Sequence, residues 1–501
     1  MAEADGVKYS SKEQGYFEKR ELKRHAGVWS LWALGVGAVI SGQFSGWNLG
    51  FAVGGWGGLA IASIIIAIMY LGLTFSIAEM SPALPHTGAA YSFARTTMGP
   101  WGGFITGLCE NVEYVLTPAV VVFFMGSYLG GIFETDASFQ PVWWILGYIL
   151  FVILNVYGVA LSFGVTLFVT FLALAVLAFF YIAALPHIDF ATWALNIAPD
   201  GSAIDGGHGP LLPMGVHGIL ACLPFAVWLF LAIEQLPLAA EESTDPKKDM
   251  PKGILYGMVT LIISAVFLLI LNPAIKGVGS HALGTSGEPI LDGFRAIFGD
   301  ASFAGIPIAK ILSLFAVVGL VASFHTIIFA KGRQIFSLSR AGYFPTRLSV
   351  THPKHKTPHV AMIAGSLLAL VIMLALFYGL GADKGGAAIG GTLLNMAVFG
   401  AMCSYVMQAV SFLLLRKNHK HIDRPYKSPF GVAGAWLTIV IAIVTMLFQL
   451  TDPIYQKAVF WVAAWIILGA VYFAAVGRNR LILSPEEEFA LEHKEKAAKL
   501  S

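Results

Sequence analysis

Long apolar runs that recur along the whole chain limit most severely what it can fold into. Twelve follow one another, near 28–50, 52–79, 100–129, 142–159, 161–185, 213–240, 253–273, 306–334, 357–379, 389–415, 432–450 and 458–477. A helix needs about 20 predominantly apolar residues to cross a bilayer. In lipid a backbone must bond to itself, so runs of this length and spacing fold as helices. Composition agrees. Of 501 residues, 57% are hydrophobic and 12% charged, against about 25% charged in a soluble domain. The expected class is an all-α polytopic membrane protein with twelve transmembrane helices. A soluble enzyme, a nucleic-acid binder and a disordered scaffold are excluded. A net charge of +2 gives no case for an acidic partner. Cys109, Cys222 and Cys403 all lie inside apolar runs, away from loop positions suited to a disulfide.

The basic residues orient the chain. Residues 1–27 are polar and basic and lead to no small-residue cleavage site, so no secretory signal is expected. With both termini in the cytoplasm, only Lys276, Arg295, Lys310, Lys384 and Lys457 fall outside, and the other 26 of 31 Lys and Arg fall inside. Lys8, Lys12, Lys19, Arg20, Lys23, Arg24, Arg95 and the groups at 247–252, 331–356 and 416–427 are among them. That bias is what the positive-inside rule requires. One missed span would reverse every loop after it. The outside loop 186–212 carries Asp189, Asp200 and Asp205 without a Lys or Arg, and 274–305 is the longest outside loop. The tail after 478 reads PEEEFALEHKEKAAK, acidic first and basic last, which suits a short solvated helix of structural or regulatory use.

Three carboxylates interrupt the apolar pattern. An ionisable group at the bilayer centre costs about 2.5–3.5 kcal/mol on insertion scales, so it should face a cavity or a partner. Glu110 and Glu113 lie three apart in GLCENVEYVLTP and share a face of the third helix, extended by Tyr114 and Thr117. Either they form a cation or proton site, or they bond to neighbouring helices. Glu234 lies in LPFAVWLFLAIEQLPLAAEE. Pro237 lacks an N–H and crowds the carbonyl of Ile233, so the sixth helix should loosen around 232–235, with Pro224 a second weak point. In the first helix, GVGAVISGQFSGWNLG interrupts with glycines and Ser41, Gln43 and Ser45. Broken helices survive in lipid where the freed backbone lines a cavity or is covered by protein. Interruptions at corresponding places of two halves point to a transporter site. The implied plan is a 5+5 inverted repeat, 28–185 and 213–415, with broken helices 1 and 6. Two further helices (432–477) and a tail (478–501) follow.

On these residues the chain resembles the amino acid–polyamine–organocation (APC) superfamily of transporters. VISGQF is similar to that family's first-helix break, and IAEMSPALPHTGAAYSFAR to its motif after the second helix. WLFLAIEQLPLAAEESTDPKKDMPKGI resembles its sixth-helix break and the loop beyond. FAKGRQIFSLSRAGYFP with HPKHKTP resembles its eighth-helix exit. GLCENVEY and ISGQFSGWNLGF look most like bacterial ethanolamine permeases. The resemblance implies the LeuT-like fold, alternating access, the bacterial inner membrane and a substrate between the breaks. By this likeness Ser41 and Gly42 give backbone contacts, Trp228 is an aromatic gate, and Glu234 is linked to gating or protons. Ile40 departs from a place often held by glycine. The fifth helix, ALSFGVTLFVTFLALAVL, lacks the Lys that stands in for sodium in some proton-coupled relatives.

The residues suit a small amine without a carboxylate. Carboxylate substrates want free backbone N–H groups at a broken helix. An ammonium wants acids and an aromatic face, which Glu110, Glu113, Glu234, Tyr114 and Trp228 offer. Gln43 can bond a hydroxyl. The expectation is a secondary active transporter importing a small organic amine, ethanolamine first, by symport with protons; sodium is the second candidate ion, and an amino acid or polyamine permease the alternative. Coupling candidates are Glu234 and His325, the latter mid-helix in ASFHTIIF; a histidine bonded within the bundle is its other reading. His352, His355 and His359 lie in a Lys- and Pro-rich loop without Cys or acid partners, so no metal is expected. No phosphate-cradling loop or dinucleotide fingerprint occurs, and no cofactor is expected. A channel would need a continuous polar lining. A membrane enzyme would need a nucleophile–base or metal constellation. Neither pattern is present.

Overall fold

The computed structural model describes residues 2–10, 15–20, 22, 24–157, 159–197, 206–380 and 385–500. Lys12, Lys23, Lys384, Asp200 and Asp205 lie outside the described residues. Among those described, eleven helices are long and apolar enough to cross a membrane, and the shorter apolar helix Val28–Phe44 makes the twelfth span.

Glycines set two boundaries. Span 1 runs through Val28–Val39 and Ser41–Phe44, turns over Trp47–Leu49, and joins the helix Gly50–Ala83. That helix bends at Gly55 (φ 65°, ψ −173°), a left-handed geometry that a side chain strains to reach. Span 2 therefore begins after Gly55, a few residues later than the apolar pattern suggests, because apolar residues continue through the turn. Gly99 (φ 77°) likewise divides Ala89–Phe133 into a leading helix and span 3. Spans 4 and 5 are Gln140–Val156 and Val159–Ala184. Span 6 is Gly215–Trp228 followed by the 3-10 segment Ile233–Glu242. Spans 7 to 12 are Pro246–Leu271, Ile308–Arg340, His359–Leu380, Gly385–Asn418, Gly431–Thr451 and Gln456–Ala475.

Burial sorts the spans into core and lipid shell. The most apolar window of span 3 is 83% buried, that of span 12 only 17%. Span 3 packs chiefly on spans 10 and 8, span 1 on spans 7 and 5, and span 2 on span 6. The outer helices present Ile149, Leu150, Phe168, Leu447, Trp461 and Leu468 to the surroundings. A continuous apolar exterior of this kind fits hydrocarbon as its solvent.

Both ends of the chain meet on one face, called here the terminal face. Ala2–Ala4 pairs antiparallel with Val7–Ser10, which pairs parallel with Leu481–Ile482. Ends on one face require an even number of crossings. On the opposite face, helices Gly279–Leu283 and Pro289–Phe298 and the hairpin of Ser302–Phe303 with Ile306–Pro307 fill the 274–305 loop. A bridge between Ile188 and Ile275 ties the 186–212 loop to it.

Two expectations are corrected. The tail forms its helix, Pro485–Leu500, but Glu486 and Glu487 are fully buried rather than solvated. The eighth helix runs to Arg340, past the 334 that the apolar pattern gives, so Arg340 joins Lys331 and Arg333 as a buried helical residue rather than a loop charge.

Candidate functional site

The two breaks touch. A Cβ at Gly42 would lie 2.1 Å from the carbonyl oxygen of Trp228, so only glycine lets span 1 approach span 6 this closely. Ser45 is extended and Gly46 has φ 96°, which ends the helix. The Trp228 ring covers Gly46, and its Nε1 donates to the Ser45 carbonyl at 3.0 Å. Behind the break, the Ser41 N–H donates to Ser323 Oγ (2.8 Å), whose hydroxyl donates to the Gly37 carbonyl (2.7 Å). Tyr128 OH donates to the Phe44 carbonyl at 2.8 Å.

The sixth span breaks where Pro237 forbids a continuous ladder. Its helix stops at Trp228, and Ala232 takes φ 85°, rare for a residue with a side chain. Glu234 holds that turn: its Oε2 accepts from the Ala232 N–H at 3.1 Å. Pro224 sits within Gly215–Trp228 without ending it. Ordered bonds occupy many of the backbone donors around both breaks. The N–H groups of Ser41, Gln43, Ser45 and Gly46 all have acceptors within the protein, and so do those of Leu229 to Ile233.

The acids converge on the span-6 break. Glu110, Glu113 and Glu234 are all buried, and none makes an ion pair among the described residues. Glu113 stands within hydrogen-bonding reach of Glu234. Its Oε1 accepts from Tyr405 OH at 3.3 Å, and Tyr405 OH meets Tyr70 OH at 3.1 Å. Both oxygens of Glu110 are buried without a donor, as are Oε2 of Glu113, Oε1 of Glu234 and the hydroxyl of Tyr114 beside Glu110. A carboxylate buried without counter-charge or donors costs several kcal/mol, so these oxygens call for cations or protons.

Of the residues singled out in sequence, the fold gathers Glu110, Glu113, Tyr114 and Glu234 into one cluster and Ser41, Gly42 and Trp228 at the adjoining contact of the breaks. It does not bring in the amide nitrogen of Gln43, which donates to the Leu261 carbonyl of span 7 at 3.1 Å, although the amide Oε1 is buried without a partner. Nor does it bring in His325, which turns to span 4, where Asn155 Nδ2 donates to its Nδ1 (2.9 Å) and its carbonyl (3.1 Å). The helical pitch explains the separation: Ser323 faces span 1, and two residues on points elsewhere.

Tyr70 and Tyr405 escaped sequence reading, since a tyrosine in an apolar run reads as packing. Ser404, Tyr405 and Gln408 on one span were the available signal. Lys331 also escaped: its Nζ donates to Ser366 Oγ at 2.7 Å, far from a loop setting. His355 and His359 both pack against the ring of His352, tilted and edge-on, with centroids 4.8 and 5.6 Å away. His352 Nδ1 accepts the N–H groups of Lys354 and His355, so its visible work is to hold a turn.

On the opposite face a cavity of about 520 Å³ lies over the bundle, lined by Ser127, Gln140, Ser286, Glu288 and Asp292 among others. Burial pushes Glu288 up to about 7, although Arg295 beside it pulls the other way. The terminal face is closed. His25 and Ala26 donate to the Glu242 carbonyl, Thr244 N–H donates to the Ala26 carbonyl, and Arg333 grips the Glu242 carboxylate through two nitrogens at 3.0 and 2.8 Å.

Comparison with known proteins agrees with this architecture. The family described as amino acid permease matches residues 27–472. A branched-chain amino acid permease of Bacillus subtilis (strain 168) is 26% identical over 92% of this chain and 94% of its own length. A methylthioribose transporter of the same organism is 22% identical over 93% of this chain and 96% of its own. A serine/threonine exchanger, again from that organism, is 24% identical over 85% and 93%.

Proposed function

Because this chain belongs to the amino acid permease family, a transporter family of the APC superfamily and not one of enzymes, we propose that it imports a small organic amine, ethanolamine, by proton-coupled alternating access. The observation that carries the amine is the acid cluster. Four carboxylate oxygens lie buried without donors at the span-6 break. One ammonium supplies both the missing charge and the missing donors. Most backbone N–H groups at the breaks, those of Ser41, Gln43, Ser45, Gly46 and Leu229 to Ile233, are already bonded within the protein, which leaves few to hold an amino acid's carboxylate. The two five-helix repeats, 28–185 and 213–415, rock around this point, with Ser41, Gly42 and Trp228 lining the contact. Glu113 and Glu234, within reach of each other, share the coupling proton.

The relatives' names favour a second reading, an amino acid permease. Competition separates the two. Excess ethanolamine is expected to displace labelled ethanolamine, while alanine and arginine leave uptake unchanged. Equal competition by either amino acid sinks the amine. A thermal-shift panel adds choline and putrescine, since a ligand bound only by the native state raises its melting temperature. Uptake is expected to follow an imposed pH gradient and to ignore sodium.

The charge bias supports a cytoplasmic terminal face, and the family likeness supports a bacterial inner membrane. A cysteine introduced within 274–305 is expected to react with an impermeant maleimide on intact cells, and one at position 490 to stay unlabelled. The reverse pattern ends this topology.

A further inference from the structure

The helix Pro485–Leu500 lies far from the acids and has no part in the site described above. Yet it carries two fully buried carboxylates that other elements hold by hydrogen bonds. Glu487 accepts from four donors: Tyr9 OH (2.8 Å), Tyr91 OH (2.7 Å), Arg95 Nε (2.6 Å) and Tyr343 OH (3.0 Å). Glu486 accepts from Arg340 Nη2 (2.5 Å) and Ser337 Oγ (3.0 Å). Arg340 in turn holds Glu241 at 2.7 and 3.1 Å, and Glu241 also accepts the Thr87 N–H at 3.1 Å.

The donors come from separate elements. Tyr9 belongs to the first hairpin, Tyr91 and Arg95 to the helix before Gly99, and Ser337, Arg340 and Tyr343 to the end of span 8. Glu241 lies on the lower half of span 6, beyond the break. That half is also clamped to span 1, where Leu236 packs on Gly35 so closely that a Cβ there would lie 2.5 Å from its Cδ1. Opening of the terminal face must part these halves. Arg340, through Glu241, ties the span-6 half to the buried Glu486, so movement of that half away from span 1 pulls on the tail helix.

From this we infer that the C-terminal helix is a latch on the terminal-face gate, with Glu486 and Glu487 as its gating residues. The helix keeps the gate shut through Arg340 and Arg95, and it must lift for that gate to open. The inference rests on the alternating-access reading. It concerns the gate alone, so its test needs no substrate.

The test reads solvent access at the gate. In a background with Cys109, Cys222 and Cys403 replaced by serine, Leu236→Cys places a thiol at the span 1–span 6 contact, which is buried in the closed form. Detergent-solubilised full-length protein is treated with a polar maleimide. Glu487→Gln is expected to raise the labelling rate about tenfold or more, the factor for loss of one charge-assisted hydrogen bond. Glu487→Asp is expected to keep most of the closure. A second arm stabilises instead of weakening. The Ile482 N–H donates to the Ala341 carbonyl at 2.9 Å. A cross-link between Ala341→Cys and Ile482→Cys, formed before Leu236→Cys is exposed to reagent, is expected to slow labelling, with reductant restoring the rate. An unchanged labelling rate in well-folded Glu487→Gln protein overturns the latch. So does a cross-link that leaves the rate unchanged. If Glu487→Gln does not fold, the cross-link arm alone decides. If ethanolamine uptake fails while labelling behaves as expected, the substrate reading fails and the latch stands.

Discussion

Glu234→Gln is expected to abolish accumulation of ethanolamine against a gradient while sparing exchange. The reason lies in the two oxygens of this side chain. Oε2 caps the left-handed turn at Ala232. A glutamine carbonyl oxygen can accept the same N–H, so the break in span 6 keeps its shape. Oε1 has no donor and belongs to the carboxyl that stands within reach of Glu113. Two adjacent carboxyls can share one proton, and an amide beside a carboxyl cannot titrate in its place. The variant thus keeps the geometry and loses the proton. Binding should change by less than about tenfold, or about 1.4 kcal/mol. The accumulation ratio driven by a pH gradient should fall towards one, while counterflow in proteoliposomes persists. Accumulation at the wild-type level would show that the coupling proton travels elsewhere. His325, bonded to Asn155 in the helical scaffold, would then be the next residue to test.

The twelve spans were legible because hydropathy at the scale of about 20 residues is a local property. The breaks were legible for the same reason: Gly42, Gly46 and Pro237 act on their own backbone. Gly55 was less so. Its turn lies inside unbroken apolar sequence, and only the backbone angle reveals it. Side-chain direction was harder still. Gln43 is polar and sits in the break, yet span 7 takes its amide.

The tail shows where local reading fails outright. PEEEFALEHKEKAAK has the charge density of a solvated helix, and most of the helix does carry its charges at the surface. Glu486 and Glu487 differ because Arg95 and Arg340 wait for them, 392 and 146 residues away in sequence. No window along the chain contains both partners. The tyrosines had the opposite problem. Tyr70 and Tyr405 look like packing until the fold brings the Tyr405 hydroxyl to Glu113 and the Tyr70 hydroxyl to Tyr405. Buried polar partnerships of this kind are properties of the assembled bundle, whereas helix breaks are properties of the segment.

Glu110→Gln is expected to weaken ethanolamine binding by about 1–3 kcal/mol, the range for a lost charged hydrogen bond. Glu113→Gln should cost less. Glu113 already has Tyr405 as a donor and Glu234 as a neighbour, whereas neither buried oxygen of Glu110 makes a hydrogen bond. The acid with the most unsatisfied oxygens gains the most from an ammonium. The ranking also separates substrate binding from bracing. If the acids only held spans 3, 6 and 10 together, the better-connected Glu113 would be the more costly to lose, and the loss would appear in melting temperature. Isothermal titration and thermal unfolding on the same purified variants therefore give opposite orders under the two readings. The double variant should fall short of the sum of the singles, because two carboxyls serving one cation are not independent. Suppose both variants melt well below wild type and bind ethanolamine with unchanged affinity. The third-span acids are then braces, and the ammonium must lie against Glu234, the Trp228 ring and the carbonyls of the first-span break.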